Sequence, residues 1–131
     1  MTIRNMEAFT NSLWDWAILD GCFGSTRIRP TDIDGLVERN GKFLMLEAKG
    51  MGVAIPFGQR ITFDSLVSTG VFTVVVVWGT PGNVQHVQVW PDEVRAAGRE
   101  ELRAIVSSWF RKANNCRNLQ EVTSGISTHE D

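Results

Sequence analysis

The sequence has few of the features that mark membrane, secreted or thiol-based metal proteins. Its two cysteines, Cys22 and Cys116, have neither metal-binding nor redox spacing. The apolar run 71–78 is too short to cross a bilayer, and the N-terminus carries no signal-peptide pattern. We therefore expect a soluble, cytoplasmic protein with free thiols and no membrane partner.

The chain also lacks an excess of basic residues, with 13 Lys and Arg against 15 Asp and Glu and a net charge of −2. Such a chain has no general attraction for polyanions, so nucleic-acid binding would depend on local basic patches. Its 131 residues suit one globular domain. We predict that domain over residues 1–113, followed by a polar tail, 114–131, which we expect to be mobile.

What the sequence does contain is a clear hairpin signal. Two apolar-rich runs flank Asn40 and Gly41, a dipeptide that strongly favours a type I′ turn. If these two residues form the loop, Arg39 pairs with Lys42 and the register of both strands is set. A slip of one residue would turn every side chain to the other face of the sheet.

That register gathers charge at the open end of the hairpin. Counting outward, Asp34 lies opposite Glu47 and Asp32 opposite Lys49, all on one face. Two like charges about 5 Å apart repel by roughly 3 kcal/mol at an effective dielectric near 20. A divalent cation between the carboxylates would turn repulsion into attraction. A surface hairpin with solvated charges, partly neutralised by Lys49, is the simpler interpretation.

A family resemblance favours the cation. Residues 30–35 read Pro-Thr-Asp-Ile-Asp-Gly, residues 47–50 read Glu-Ala-Lys-Gly, and residues 58–59 read Gly-Gln. This pattern resembles the core of the PD-(D/E)XK nuclease superfamily, with the closest spacing in its small Holliday-junction-resolvase-like and VRR-NUC-like members, many of them phage-borne. The resemblance covers about residues 27–78. It departs from the family in having two aspartates near the proline, and the hairpin register favours Asp34 over Asp32.

The resemblance implies a site and a cofactor. It assigns catalysis to a carboxylate pair, a lysine and a glutamine: Asp34, Glu47, Lys49 and Gln59. Mg²⁺ or Mn²⁺ would bind Asp34, Glu47 and the backbone carbonyl of Ala48, with two further candidate ligands, Asp32 and Glu7. Asp32 could instead fix Lys49, Glu7 could be a solvated helix charge, and Gln59 could be an ordinary polar residue at a helix start.

Hydrophobic periodicity predicts the order of the elements. We expect a helix over residues 6–19, a short strand over 25–29, the two hairpin strands, a helix over 59–69 and a buried parallel strand over 71–78. An edge strand over 84–90, with His86 as an ordinary side chain, and a helix over 91–113 follow. This α/β order matches the αβββαβ core of restriction-endonuclease-like folds, with a mixed central sheet, an extra edge strand and a C-terminal helix.

Arginines supply the local basic patches. Six are candidates for contact with nucleic-acid phosphates: Arg27, Arg29, Arg60, Arg95, Arg99 and Arg103. The first two could equally offset nearby carboxylates. The last three are spaced four apart and form a stripe on the predicted final helix, which is either a solvated face or a contact with the DNA backbone.

These predictions favour a metal-dependent DNA nuclease, a structure-selective endonuclease acting on branched, flapped or single-stranded DNA in a bacterial or phage-infected cell. No feature predicts reading of base edges, so selectivity would come from backbone geometry. A catalytically silent nuclease-fold module that binds nucleic acid or a protein is the alternative, and a structural or inhibitory protein is a third. The prediction leaves open whether the protein forms a homodimer.

Overall fold

A computed structural model describes residues 14–116. The chain divides into two compact units, Met1–Asp32 and Ile33–Asp131, and each is considered by itself. In the first, a 3-10 helix spans Trp16–Leu19, and its first turn is capped by the Asp15 carboxylate, which accepts the N–H of Ala17 at 3.0 Å. The helix predicted over residues 6–19 is wrong in the described part, because residues 14 and 15 are not helical and only a short 3-10 helix follows, although it also ends at residue 19. Residues 6–13 of that prediction lie outside the described part.

The strand predicted over residues 25–29 is wrong, because this segment has no strand pairing. The hydroxyl of Thr26 donates to the carbonyl of Phe23 at 2.7 Å and accepts the N–H of Ile28 at 3.2 Å. Short polar side chains that bond the local backbone in this way compete with sheet formation. The alternation of Arg27 and Arg29 therefore belongs to a turn and an irregular segment.

The second unit is a five-stranded mixed sheet with two helices. Its strands are β1 (Gly35–Arg39), β2 (Lys42–Lys49), β3 (Phe72–Thr80), β4 (Asn83–Val89) and β5 (Arg95–Ala96), and its helices are α1 (Phe57–Ser68) and α2 (Arg99–Asn115). The strands lie side by side in chain order. Neighbours are antiparallel except β2 and β3, which are parallel and joined through α1.

The hairpin turn forms as predicted. Asn40 and Gly41 both have positive φ, 52° and 81°, as a type I′ turn requires, and Arg39 pairs with Lys42. The ladder, however, stops at the pair of Gly35 with Leu46. The predicted pairs of Asp34 with Glu47 and of Asp32 with Lys49 are therefore wrong as strand pairs.

The face of the sheet under α1 carries the core. Strand β3 is buried on both sides, as its run of β-branched residues predicts. Because side chains alternate along a strand, Met45, Val74, Val76 and Trp78 share one face, and they pack with the fully buried Phe63 of α1. The predicted helix over 59–69 is confirmed, with Phe57–Ser68 as its observed bounds.

The second helix begins later than predicted. Residues 91–98 are not helical, since β5 pairs with β4 and so removes β4 from the sheet edge. Glycine marks the actual start of α2: the Gly98 N–H donates to the Glu101 carboxylate at 2.8 Å. The other end of α2 is fastened to the hairpin, where the Asn40 amide donates to the carbonyl of Ala113 at 3.0 Å.

The α/β class and the mixed sheet are thus confirmed, and the restriction-endonuclease-like core stays a prediction. Two strands, rather than three, precede α1 in the described residues. The single domain over 1–113 also stays a prediction, and residues 117–131 of the predicted tail lie outside the described part. No helix of the described residues combines the length and apolar content that crossing a bilayer would require.

Candidate functional site

Asp34 is held at the carboxyl end of β2 by its side chain. Its Oδ2 accepts the backbone N–H of Ala48 at 2.8 Å. Because β1 begins only at Gly35, no strand residue meets that N–H, and the carboxylate takes the place of the missing backbone acceptor. Asp34 therefore lies beside the Glu47–Ala48 peptide, which it reaches through a side-chain hydrogen bond and not through the predicted strand pairing.

Glu47 is the buried charged residue in the described part of the chain, with 6 % of its surface exposed. Burying a carboxylate is costly unless polar partners surround it. One partner comes from the first turn of α1, where the side-chain amide of Gln59 donates to Glu47 Oε2 at 3.1 Å. The hydrogen bond brings two of the predicted site residues into contact, although the sequence did not predict this bond.

The Gln59 side chain can accept a further hydrogen bond in addition to this one. Its Oε1 is buried and has no hydrogen-bond partner within residues 14–116. A buried amide oxygen can accept from a donor such as water. The side chain thus orients Glu47 with its nitrogen and offers an acceptor with its oxygen.

Lys49 completes the group at the end of β2. It follows Glu47 by two residues, so both side chains project from the same face. The ammonium forms no ion pair with any residue in the described part. On β3, Trp78 lies beside Lys49 in the ladder, and its indole N–H donates to the carbonyl of Val53 at 2.8 Å, fastening the loop that follows β2.

The oxygen atoms at this position suit a hard cation. In a strand, the N–H and C=O of one residue point to the same edge, so the Ala48 carbonyl faces the side from which Asp34 approaches. Mg²⁺ binds one or two carboxylates and keeps several waters. In residues 14–116 no group of three or more His, Cys, Asp or Glu side chains could hold a metal. A metal ion at this position would have two carboxylates and one backbone carbonyl as protein ligands, an all-oxygen set of the kind that Mg²⁺ takes.

Several predicted residues belong to the other unit or lie outside the description. Arg27 and Arg29 line a cleft of about 310 Å³ in the first unit, together with Trp16 and Phe23. Asp32 ends that unit, and their roles beside the carboxylates stay predictions. Glu7, a further candidate ligand, lies outside the described residues.

The other arginines predicted to bind nucleic acid do not form one continuous surface. Arg60 follows Gln59 on α1, with its guanidinium carbon 6.0 Å from the centre of the Trp90 ring. The stripe predicted on the last helix is wrong, because Arg95 lies in β5 while only Arg99 and Arg103 lie on α2. Arg103 is 3.8 Å from the carboxylate of Glu100, an exposed pair of small energetic value.

The structure aligns His86, which the sequence predicts as an ordinary edge-strand side chain, with the candidate site. His86 of β4 pairs with Trp78 of β3, which in turn pairs with Lys49, so the three form a row on the α1 side of the sheet. Its Nδ1 is buried and lacks a hydrogen-bond partner among the described residues. A register shift between Trp78 and Gly79 sets this alignment, and a bulge of that kind has no signal in the hydrophobic pattern.

Comparison with known proteins finds no matching family model, no matching curated protein and no matching solved structure. The interpretation of the site therefore depends on its residues and their geometry.

Proposed function

We propose that this protein is a metal-dependent nuclease that hydrolyses phosphodiester bonds in DNA. The observation that carries the proposal is the convergence of three elements on the carboxyl end of β2. Asp34 comes from the segment before β1, Glu47 and Lys49 from β2 itself, and Gln59 from the first turn of α1. A buried carboxylate, a second carboxylate, an ammonium and an amide at one strand end suit phosphoryl chemistry.

Asp34, Glu47 and the backbone carbonyl of Ala48 would hold Mg²⁺ or Mn²⁺. When bound there, the ion acidifies a coordinated water and polarises a phosphoryl oxygen. The other contributions to the reaction come from protein side chains. Lys49 stabilises negative charge that develops on the phosphate. Gln59 keeps Glu47 in place through its nitrogen and orients the attacking water through its free oxygen.

Selection of the substrate is expected to depend on DNA shape. The proposed contacts are phosphate contacts, which position a duplex or strand without reading its bases. With a net charge of −2, the chain depends on local cations such as Arg60, which lies on α1 beside Gln59. We therefore propose a structure-selective endonuclease for flapped, branched or single-stranded DNA.

The test is cleavage of a panel of linear, nicked, flapped, branched and single-stranded DNA with Mg²⁺ or Mn²⁺. The wild type should cleave at least one branched or unpaired substrate, and Glu47→Gln should abolish that activity while the fold is retained. Glu93→Gln is the matched control, because it makes the same change at an exposed carboxylate outside the site. Equal activity of wild type and Glu47→Gln would refute the proposal.

A catalytically silent module that binds a protein is the second candidate. It is favoured by two exposed apolar side chains near the site, Phe57 at 76 % and Ile61 at 50 % exposure, one turn apart on α1. Paired apolar residues on an exposed helix face are typical of protein contacts. Absence of cleavage on every substrate, together with loss of partner binding in Phe57→Ser, would favour this function instead.

A further inference from the structure

A cavity of about 530 Å³ lies between α2 and the sheet. Thr73 lines it, and Thr73 alternates along β3 with Val74, which belongs to the core under α1. The cavity is therefore on the opposite face of the sheet from Glu47. Its volume falls in the range of about 300–1,000 Å³ typical of small-molecule sites.

Hydrogen bonds hold both ends of α2 to the sheet. The segment entering α2 is bonded to β4, where the Ala97 N–H donates to the Gln85 carbonyl at 3.1 Å. At the far end, Arg39 Nε donates to Asn114 Oδ1 at 2.8 Å. Between these ends the helix presents small residues to the cavity, Ala104 and Ser108, and these cannot fill the space.

The walls offer both apolar and polar groups. Val89, Ile105 and Trp109 supply apolar surface, and all three are only half-buried. Thr73 and Ser108 also line the cavity, and the hydroxyl of neither forms a hydrogen bond within the part of the chain that is described. Apolar walls with a few convergent polar groups characterise ligand sites.

The charge balance of the lining favours an anion. Arg95 and Lys112 both line the cavity, and neither forms an ion pair with a carboxylate of residues 14–116. Glu101 is the acidic group of the lining, and its carboxylate is already used by the Gly98 N–H. That bond, with a smaller contribution from Arg95, holds the pKa of Glu101 below its ordinary value. The negative charge of Glu101 thus offsets one of the two cations in the lining, and the positive charge of the other is not offset.

The remaining cation is Lys112. Glu101 and Lys112 are separated by eleven residues of helix, which corresponds to roughly 16 Å along the axis. Glu101 is at the Arg95 end and offsets that guanidinium, whereas the Lys112 end has no carboxylate in the lining. The positive end of the cavity is therefore the one beside Lys112.

We propose that this cavity binds a small organic anion with a flat apolar body. Its acidic group would lie beside Lys112 and its body against Ile105 and Trp109, where aromatic stacking adds to apolar burial. The hydroxyls of Thr73 and Ser108 are available to polar atoms on the same ligand. This site is independent of the proposed nuclease centre.

The probe for this proposal is anilinonaphthalene sulfonate, a flat apolar molecule with an acidic group, whose fluorescence rises in apolar surroundings. Its neutral analogue, phenylnaphthylamine, has a similar body without the charge. The full-length protein is titrated with each in buffer with chelator and without divalent cations, so that nuclease activity has no influence on the result. The sulfonate should bind one saturable site and about two- to fivefold more tightly than the neutral analogue, the range expected of an exposed ion pair.

Three variants locate the site. Ser108→Phe should fill the cavity and abolish sulfonate binding. Lys112→Gln should weaken it by about two- to fivefold and remove the preference over the neutral analogue. Arg111→Gln, which makes a comparable charge change at an adjacent α2 residue outside the lining, should leave binding unchanged.

Two results would overturn the proposal. Equal affinity for both probes, unaffected by Lys112→Gln, would mean an apolar cavity without anion preference. Sulfonate binding that survives Ser108→Phe would place the probe on another surface, such as Phe57. If Ser108→Phe does not fold, amide chemical shifts of the wild type decide: those of Thr73, Val89 and Ser108 must move on adding the sulfonate, and movement confined to α1 would refute the site.

Discussion

The two faces of the sheet differ in how closely their helices pack. Under α1, Phe63 is fully buried and meets the Trp90 ring edge-on at 5.4 Å. Under α2, Ile105 and Trp109 remain half-buried beside a cavity of about 530 Å³. A buried carboxylate needs partners in fixed positions, so the tightly packed face suits the candidate catalytic site. The looser face leaves room for a ligand.

The largest expected effect is on stability, and it separates the two faces directly. Phe63→Ala should lower the free energy of unfolding by about 3–5 kcal/mol, because it empties a fully packed position. Ile105→Ala should cost only about 1 kcal/mol, since that side chain already borders a cavity. Urea denaturation measures both. Similar losses would mean that α2 packs as tightly as α1.

Removal of the ammonium at the end of β2 tests the chemistry of the α1 face. Lys49→Met should reduce the cleavage rate by about 10²–10³-fold, the range seen when a charge-stabilising group is lost, while metal binding is retained. Lys42→Met is the matched control, since Lys42 is at the opposite end of the same strand. Single-turnover kinetics measures the rate. Equal losses in both variants would argue against a role for Lys49 in the reaction.

The contact that positions Asp34 should have a smaller effect on stability. Asp34→Ala leaves the Ala48 N–H without its acceptor and should cost about 1 kcal/mol. Asp34→Asn keeps a side-chain oxygen and should cost less, although both variants should lose metal binding. Urea denaturation in chelator compares them. If the alanine variant is as stable as wild type, the hydrogen bond does not hold the segment before β1.

DNA binding should distinguish the arginines of the two helices. Each phosphate contact contributes about −0.9 to the slope of log K against log salt concentration on duplex DNA. Arg60→Gln, on the α1 side, should flatten the slope by about that amount. The double variant Arg99→Gln with Arg103→Gln should leave it unchanged. Fluorescence anisotropy over a salt series gives both slopes, and the reverse outcome would move the DNA to α2.

The smallest effect concerns the start of α2. The Gly98 N–H lowers the pKa of Glu101 from its ordinary value of 4.5. A carboxyl group with a lowered folded-state pKa stabilises the fold above its unfolded pKa, and this contribution is lost as the pH falls below about 4.5. Thermal melting between neutral and acidic pH should therefore decline less in Glu101→Gln than in wild type. Glu100→Gln should decline like wild type, and identical profiles for all three would contradict the assignment.

Local signals predicted the parts of the fold that local residues determine. Asn40 and Gly41 carry the positive φ values that a type I′ turn needs, so the hairpin and its register follow from two residues. The β-branched run of β3 indicates a strand buried on both faces. Glu47 and Gln59 were both predicted as site residues, whereas the hydrogen bond between them was not predicted.

Other features depend on contacts that periodicity does not encode. The Thr26 hydroxyl bonds the neighbouring backbone and replaces a predicted strand with a turn. The side chain of Asp34 takes over a backbone position, so β1 begins after it rather than before it. The four-residue spacing of the arginines predicts that Arg95 begins a basic stripe on a helix, yet Arg95 pairs with Val87 in the sheet. In each case a side-chain or cross-strand bond outweighs the local pattern.

Calorimetric titration with Mn²⁺ tests the central claim most directly, because it measures the proposed cation site without assuming a substrate. The wild type should bind one ion, Asp34→Asn and Glu47→Gln should each lose it, and Lys49→Met should keep it. No binding by the wild type, or binding that persists in both carboxylate variants, would contradict the account of this site.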